Sequence, residues 1–246
     1  MELILVPVVL ILFLFLMIIF WRRIWITLQI SWLSIFYGRY SFEFLEFFKT
    51  RNIRSPHNTC IKDEITVHFL VFYKKLRNFR EIKTPYELTF SDTPAFSTYK
   101  EVRKLKGIPD CMNIARFPEG KVVLLGYREI LQDIRVKRLY YFIHDRFILG
   151  EIQFNESLRQ DSAPLLKHIA GLYLDGAPLA DETVYLSDPK GNQLLYENNG
   201  FSLSVKILFH GDPVIDNLLT STFTKKPAGE ADYGKTLRDE GQLNRF

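Results

Sequence analysis

The side chains best suited to proton transfer in this chain are Asp110, His144, Glu151 and Asp188. A carboxylate beside an imidazole can exchange a proton near neutral pH, and a second carboxylate can hold the imidazole in place. These four residues share no spacing motif, so they make an acid/base site only if the fold gathers them. His144 and Asp145 are adjacent at a predicted hairpin turn, where neighbouring side chains point apart, so a plain turn is expected there. Cys111, next to Pro109 and Asp110, becomes a nucleophile only with a histidine folded against it. The alternative is a buried cysteine that starts a strand.

Other chemistries find less support. None of the five histidines, His57, His68, His144, His168 and His210, has a metal-ligand spacing to another. Gly107, Gly120, Gly126, Gly150, Gly191 and Gly200 stand singly, without a phosphate-cradling motif. Gly126 and Gly150 fall inside predicted strands and read as bulges rather than ligand contacts. No catalytic residue, metal or cofactor is therefore expected. Cys60 and Cys111, the two cysteines, read as free thiols in a reducing compartment.

One basic group is worth following. Arg128, Arg135, Lys137 and Arg138 fall on two consecutive predicted strands, Arg103, Lys104 and Lys106 on the helix before them, and Tyr140 and Tyr141 just after. Cations interleaved with aromatic rings can bind single-stranded nucleic acid. Alternation, however, puts Arg135 and Lys137 on one strand face and Arg138 on the other. A solvated face, or one against anionic lipid headgroups, is expected instead. The net charge of +4 is too mild to argue for nucleic acid.

The elements that must position these residues begin at Leu3–Trp21, which has no charged residue and is followed by Arg22 and Arg23. At ~1.5 Å per residue this run matches the ~30 Å hydrocarbon core of a bilayer. It reads as a retained anchor, because it lacks the basic n-region and small-residue cleavage site of a signal peptide. Flanking Arg22, Arg23 and Arg39 orient the long C-terminal part toward the cytoplasm, the alternative being a periplasmic or other extracytoplasmic domain. Ile24–Tyr37 reads either as an interfacial helix or as a continuation of the anchor. Residues 24–60 form a membrane-proximal aromatic segment and linker.

Residues 61–158 read as helix plus four-strand antiparallel unit, and residues 159–212 as helix plus three-strand unit. In the first, Ile65–Phe79 has helical spacing. Tyr86–Phe90 reads as a short strand, and Thr98 with Glu101 as a capping box opening a helix with Val102 and Leu105 inward. Strands follow at Met112–Phe117, Lys121–Ile130, Ile134–Ile143 and Arg146–Phe154. In the second, a helix capped at Ser162 precedes strands at Thr183–Ser187, Gln193–Glu197 and Phe201–Phe209. The units form a loose repeat or one continuous sheet. Residues 213–246 read as a largely disordered tail.

The expected fold is thus α+β with an N-terminal transmembrane helix. The expected function is a single-pass, membrane-anchored binding or scaffolding module. Its expected partners are the lipid bilayer and a partner membrane protein or lipid-like ligand, with no nucleic acid. The alternatives are a membrane-associated enzyme with an unmarked acid/base site, and a small structural subunit of a membrane complex.

Overall fold

A computed structural model describes residues 2–61, 65, 72, 79, 81–117, 120–131, 134–154, 163–177, 179, 183–198 and 203–213. The chain divides into two compact units, Met1–Asn58 and Thr59–Phe246. The predicted tail, 213–246, lies outside the described residues except for Pro213.

The first unit is helical. Helix α1, Glu2–Phe36, runs unbroken through Arg22 and Arg23, so Ile24–Phe36 continues the N-terminal apolar helix. Nothing at Arg22-Arg23 breaks it: neither residue is a proline or glycine, and both are good helix formers. At 35 residues it is about 52 Å long, more than a bilayer core requires. Within it, Phe13–Phe36 is long and apolar enough to cross a membrane, a property shared by anchors and signal sequences. The helix stops at Gly38, whose φ of +84° suits glycine. Helix α2, Phe42–Thr50, is capped by Ser41, whose hydroxyl accepts from the Phe44 N–H at 3.1 Å. It buries Phe42, Phe44, Leu45 and Phe48.

The second unit is built on one eight-stranded sheet. Its strands are β1 (Glu81–Lys83), β2 (Cys111–Phe117), β3 (Gly120–Leu131), β4 (Ile134–Ile143), β5 (Arg146–Phe154), β6 (Thr183–Ser187), β7 (Gln193–Asn198) and β8 (Leu203–Leu208). Their order is β1-β6-β7-β8-β5-β4-β3-β2. Every pairing is antiparallel except β1 with β6. The two meanders, β2–β5 and β6–β8, join where β5 pairs with β8, so the two units of the sequence share one sheet. Helix α3 (Tyr99–Lys106) precedes the first meander and α4 (Ala163–Tyr173) the second.

Both faces of the sheet are covered. On one, Cys60, Ile61, Ile65 and Phe72 join Leu124, Leu139, Tyr141, Leu195 and Leu208 in a core. Of the helix expected over Ile65–Phe79, the described residues Ile65 and Phe72 are helical and buried, whereas Phe79 lies in a bend and is exposed. On the other face, Phe90, Tyr127, Tyr140, Phe142, Phe147 and Phe209 form a chain of rings with centroids 5.2–5.9 Å apart. Offset and edge-on rings at such distances are favourable beyond the area they bury.

Tyr86–Phe90 is not a strand. The strand lies earlier, at Glu81–Lys83, and its pairing with β6 continues as the Thr84 N–H donates to Ser187 O at 2.8 Å. Three residues carry too little alternation to be read from sequence. Phe90 instead makes a single bridge with Thr93 and turns its ring onto the sheet.

Candidate functional site

The sequence candidates for acid/base chemistry do not converge. Asp110 precedes the edge strand β2, and its carboxylate accepts from the Arg128 N–H at 2.7 Å. His144 and Asp145 form the β4–β5 turn with φ of +47° and +64°, the conformation of a tight hairpin. The Asp145 carboxylate accepts from the Tyr99 N–H at 3.1 Å, at the start of α3. Asp188 follows β6, three strands from β5, and organises a turn. It accepts from the N–H groups of Leu88 (2.9 Å), Lys190 (2.9 Å) and Asn192 (2.8 Å), and from the Asn192 side-chain amide (2.8 Å). A carboxylate so fully used for structure has little capacity left for a substrate.

Glu151 is the most enclosed of the four, at 3% exposure. The Tyr141 hydroxyl donates to it at 2.8 Å and the Gln153 amide at 3.0 Å, and Lys206 lies 3.8 Å away. Burial, and then the neighbouring carboxylate, push the Tyr141 hydroxyl well above its ordinary pKa, so it stays a neutral donor. Glu151 and Lys206 are directly paired across β5 and β8. Alternation alone marks their strand faces as polar and solvated. The core around Ile65 and Phe72 covers that face and turns them into a buried, hydrogen-bonded pair.

The reading of two free thiols is corrected. Cys60 and Cys111 form a disulfide, with Cα atoms 4.9 Å apart and a sequence separation of 51. Asn113 helps bring the segment there: its side chain accepts from the Ile61 N–H at 3.3 Å and donates to Ile61 O at 3.0 Å. Cys111 is thereby unavailable as a nucleophile. The two strand glycines are also explained differently. A Cβ on Gly126 would lie 2.3 Å from the Cys111 sulfur, and one on Gly150 would lie 2.4 Å from the Phe90 ring. Each glycine is thus a seat for a side chain. The bulge in the sheet is nearby, between β4 and β5, where Ile148 is the extra residue.

The basic group splits by face. Arg138 turns to Glu129 at 3.2 Å and Ser91 at 2.6 Å, and Lys106 to Asp92 at 2.8 Å and Glu129 at 3.5 Å. Tyr140 and Tyr141 are fully buried and offer no ring to a base. Arg128, Arg135 and Lys137 remain together beside a cavity of about 510 Å³.

A second concavity, about 710 Å³, opens between α3 and the 92–97 loop. The capping box positions α3: Thr98 Oγ1 accepts from the Glu101 N–H at 3.2 Å, and Glu101 Oε2 accepts from the Thr98 N–H at 2.7 Å. The loop is pinned to β5 by reciprocal bonds: the Phe96 N–H donates to Phe147 O and the Phe147 N–H donates to Ser97 O, each at 2.9 Å. Val102, Leu105, Pro94, Ala95 and Phe96 line the groove. Val102 is buried as expected, but Leu105, expected to face inward, is 52% exposed, and Ile108 beyond it is 75% exposed. Asp92, Glu101, Lys104 and Arg146 supply both signs of charge around it. The sequence places Leu105 on the apolar stripe of α3 but cannot show that no described residue covers it. Phe96 has a φ of +62°, which few residues of its size adopt.

No protein-family model, no curated protein and no solved structure matches the chain.

Proposed function

We propose that this protein is a membrane-anchored, non-catalytic binding module whose groove between α3 and the 92–97 loop takes a short apolar segment of a partner polypeptide. The observation that carries this reading is the groove itself: an open apolar concavity lined by Leu105, which is half exposed. Its mixed rim, Asp92 and Glu101 with Lys104 and Arg146, suits a polypeptide, which offers both signs of charge, better than an anionic headgroup. The separation of Asp110, His144, Glu151 and Asp188, each held in a local structural role, further supports binding over acid/base catalysis.

The apolar helix α1 supports the anchor. The Cys60–Cys111 disulfide supports a second unit on the oxidising side of the membrane, since such bonds persist outside reducing compartments. Arg22 and Arg23 argue for the opposite orientation, but a long domain can be translocated regardless of flanking charge. Amine-reactive crosslinking in native membranes tests the binding reading. A heteromeric adduct that disappears in Leu105→Asp supports it, and recovery of monomer alone from wild type contradicts it.

A further inference from the structure

The β3–β4 hairpin carries a charge arrangement that the fold does not need. Arg128 is directly opposite Lys137 in the ladder, and Arg135 is opposite Ile130 one step along the same face. Opposed side chains in an antiparallel pair stand about 5 Å apart, and like charges there repel. Three cations therefore converge on one short stretch of sheet. Among the described residues none of them has a carboxylate in an ion pair. Glu129 also lines the cavity beside them, but its carboxylate is engaged by Lys106 and Arg138. Asp110 meets Arg128 only at its backbone.

Lys137 is half-buried, and its ammonium donates to the Cys60 carbonyl. Loss of water around it, and then the Arg128 charge, hold its pKa below the ordinary lysine value against a smaller upward pull from Glu151. A group in that position gains from an anion brought to it. The cavity of about 510 Å³ lined by Arg128, Arg135 and Lys137 provides the space. Ile130, 72% exposed, adds an apolar wall at its edge.

We propose that Arg128, Arg135 and Lys137 form a binding site for a phosphate-bearing ligand. Guanidinium groups pair two oxygens of a phosphate at once, and the lysine adds a compact third charge. Ile130 contacts whatever apolar portion the phosphate carries. The site is separate from the α3 groove and does not depend on a polypeptide binding there.

Isothermal titration of the full chain in non-ionic detergent micelles tests this, with inorganic phosphate and dihexanoyl phosphatidic acid as probes. The expected result is saturable binding, weakened at least tenfold in Arg128→Gln/Arg135→Gln and unchanged in Lys83→Gln/Lys100→Gln, which removes equal charge from two exposed positions elsewhere. Both substituted arginines of the first variant are exposed, so its fold is retained, and a thermal melt verifies this. Equal binding of the two probes assigns the site to free phosphate groups, and binding of phosphatidic acid alone assigns it to a lipid headgroup. No saturable binding of either, or equal weakening in both variants, overturns the proposal. Lys137→Met supplies a second readout: it also loses affinity for the probe that wild type binds, and undiminished affinity overturns the role of Lys137.

Discussion

Cys111 lies directly across the β2–β3 ladder from Gly126, and the Cys60–Cys111 disulfide rests on the bare backbone of that glycine. A methyl group at Gly126 would lie 2.3 Å from one sulfur and 2.7 Å from the other. Neither sulfur can swing aside as the end of a flexible side chain could. Gly126→Ala is therefore expected to destabilise the second unit by about 1–3 kcal/mol, as overpacked cores do. Chemical denaturation of the full chain in detergent checks this, and an unchanged midpoint would refute the close seating.

The disulfide closes a loop of about 50 residues, from Cys60 to Cys111. By the chain-entropy argument such a link is worth about 4 kcal/mol. Cys60→Ser/Cys111→Ser should lower the unfolding midpoint, and wild type treated with dithiothreitol should fall to match it. Indifference of wild type to the reductant would show that the bond does not form in the native protein.

Asp188 is expected to be a structural carboxylate. Its replacement by alanine strands three backbone N–H groups and the Asn192 amide in a buried turn. A loss of about 3 kcal/mol or more follows from unsatisfied buried donors. Asp188→Asn keeps one acceptor oxygen and should lose less. A calorimetric melt of the two variants distinguishes them, and equal losses would mean that the hydrogen bonds are not what the residue provides.

Asp92 gives a pH signature. Its hydrogen bond from Lys106 holds its carboxyl below the ordinary carboxylate pKa. A group whose folded pKa is depressed stabilises the protein above its unfolded value and loses that contribution as pH falls through the folded value. The melting temperature of wild type should therefore exceed that of Asp92→Asn by a constant margin near neutrality. The margin should shrink below about pH 4, where the unfolded carboxylate takes up its proton. Because Asp92 is largely exposed, the margin should be small and reduced by salt.

Much of the second unit was legible because its strands alternate and its turns carry their own chemistry. Ile134–Ile143 and Arg146–Phe154 begin and end where the sequence puts them, on either side of the His144-Asp145 turn. Thr98 and Glu101 form the expected capping box because both partners are local. What the sequence hid was non-local. The disulfide requires knowing that Asn113 draws residues 60–61 to β2. Gly126 and Gly150 look like bulges until Cys111 and Phe90 are seen above them. Lys206 and Glu151 look solvated until the core around Ile65 and Phe72 covers their face. Leu105 looks buried by periodicity, because a helix wheel shows which residues share a stripe and not whether a neighbour covers it. The groove could not be read for the same reason: it depends on where the 92–97 loop lies beside α3.

The binding reading is tested most directly by site-specific photo-crosslinking from position 105 in native membranes. Position 172 on α4 serves as the control, since Leu172, 50% exposed, is as open as Leu105 at 52%. The account predicts a discrete polypeptide adduct from position 105 that is absent from position 172. Equal adducts from both positions, or none from position 105, would contradict it.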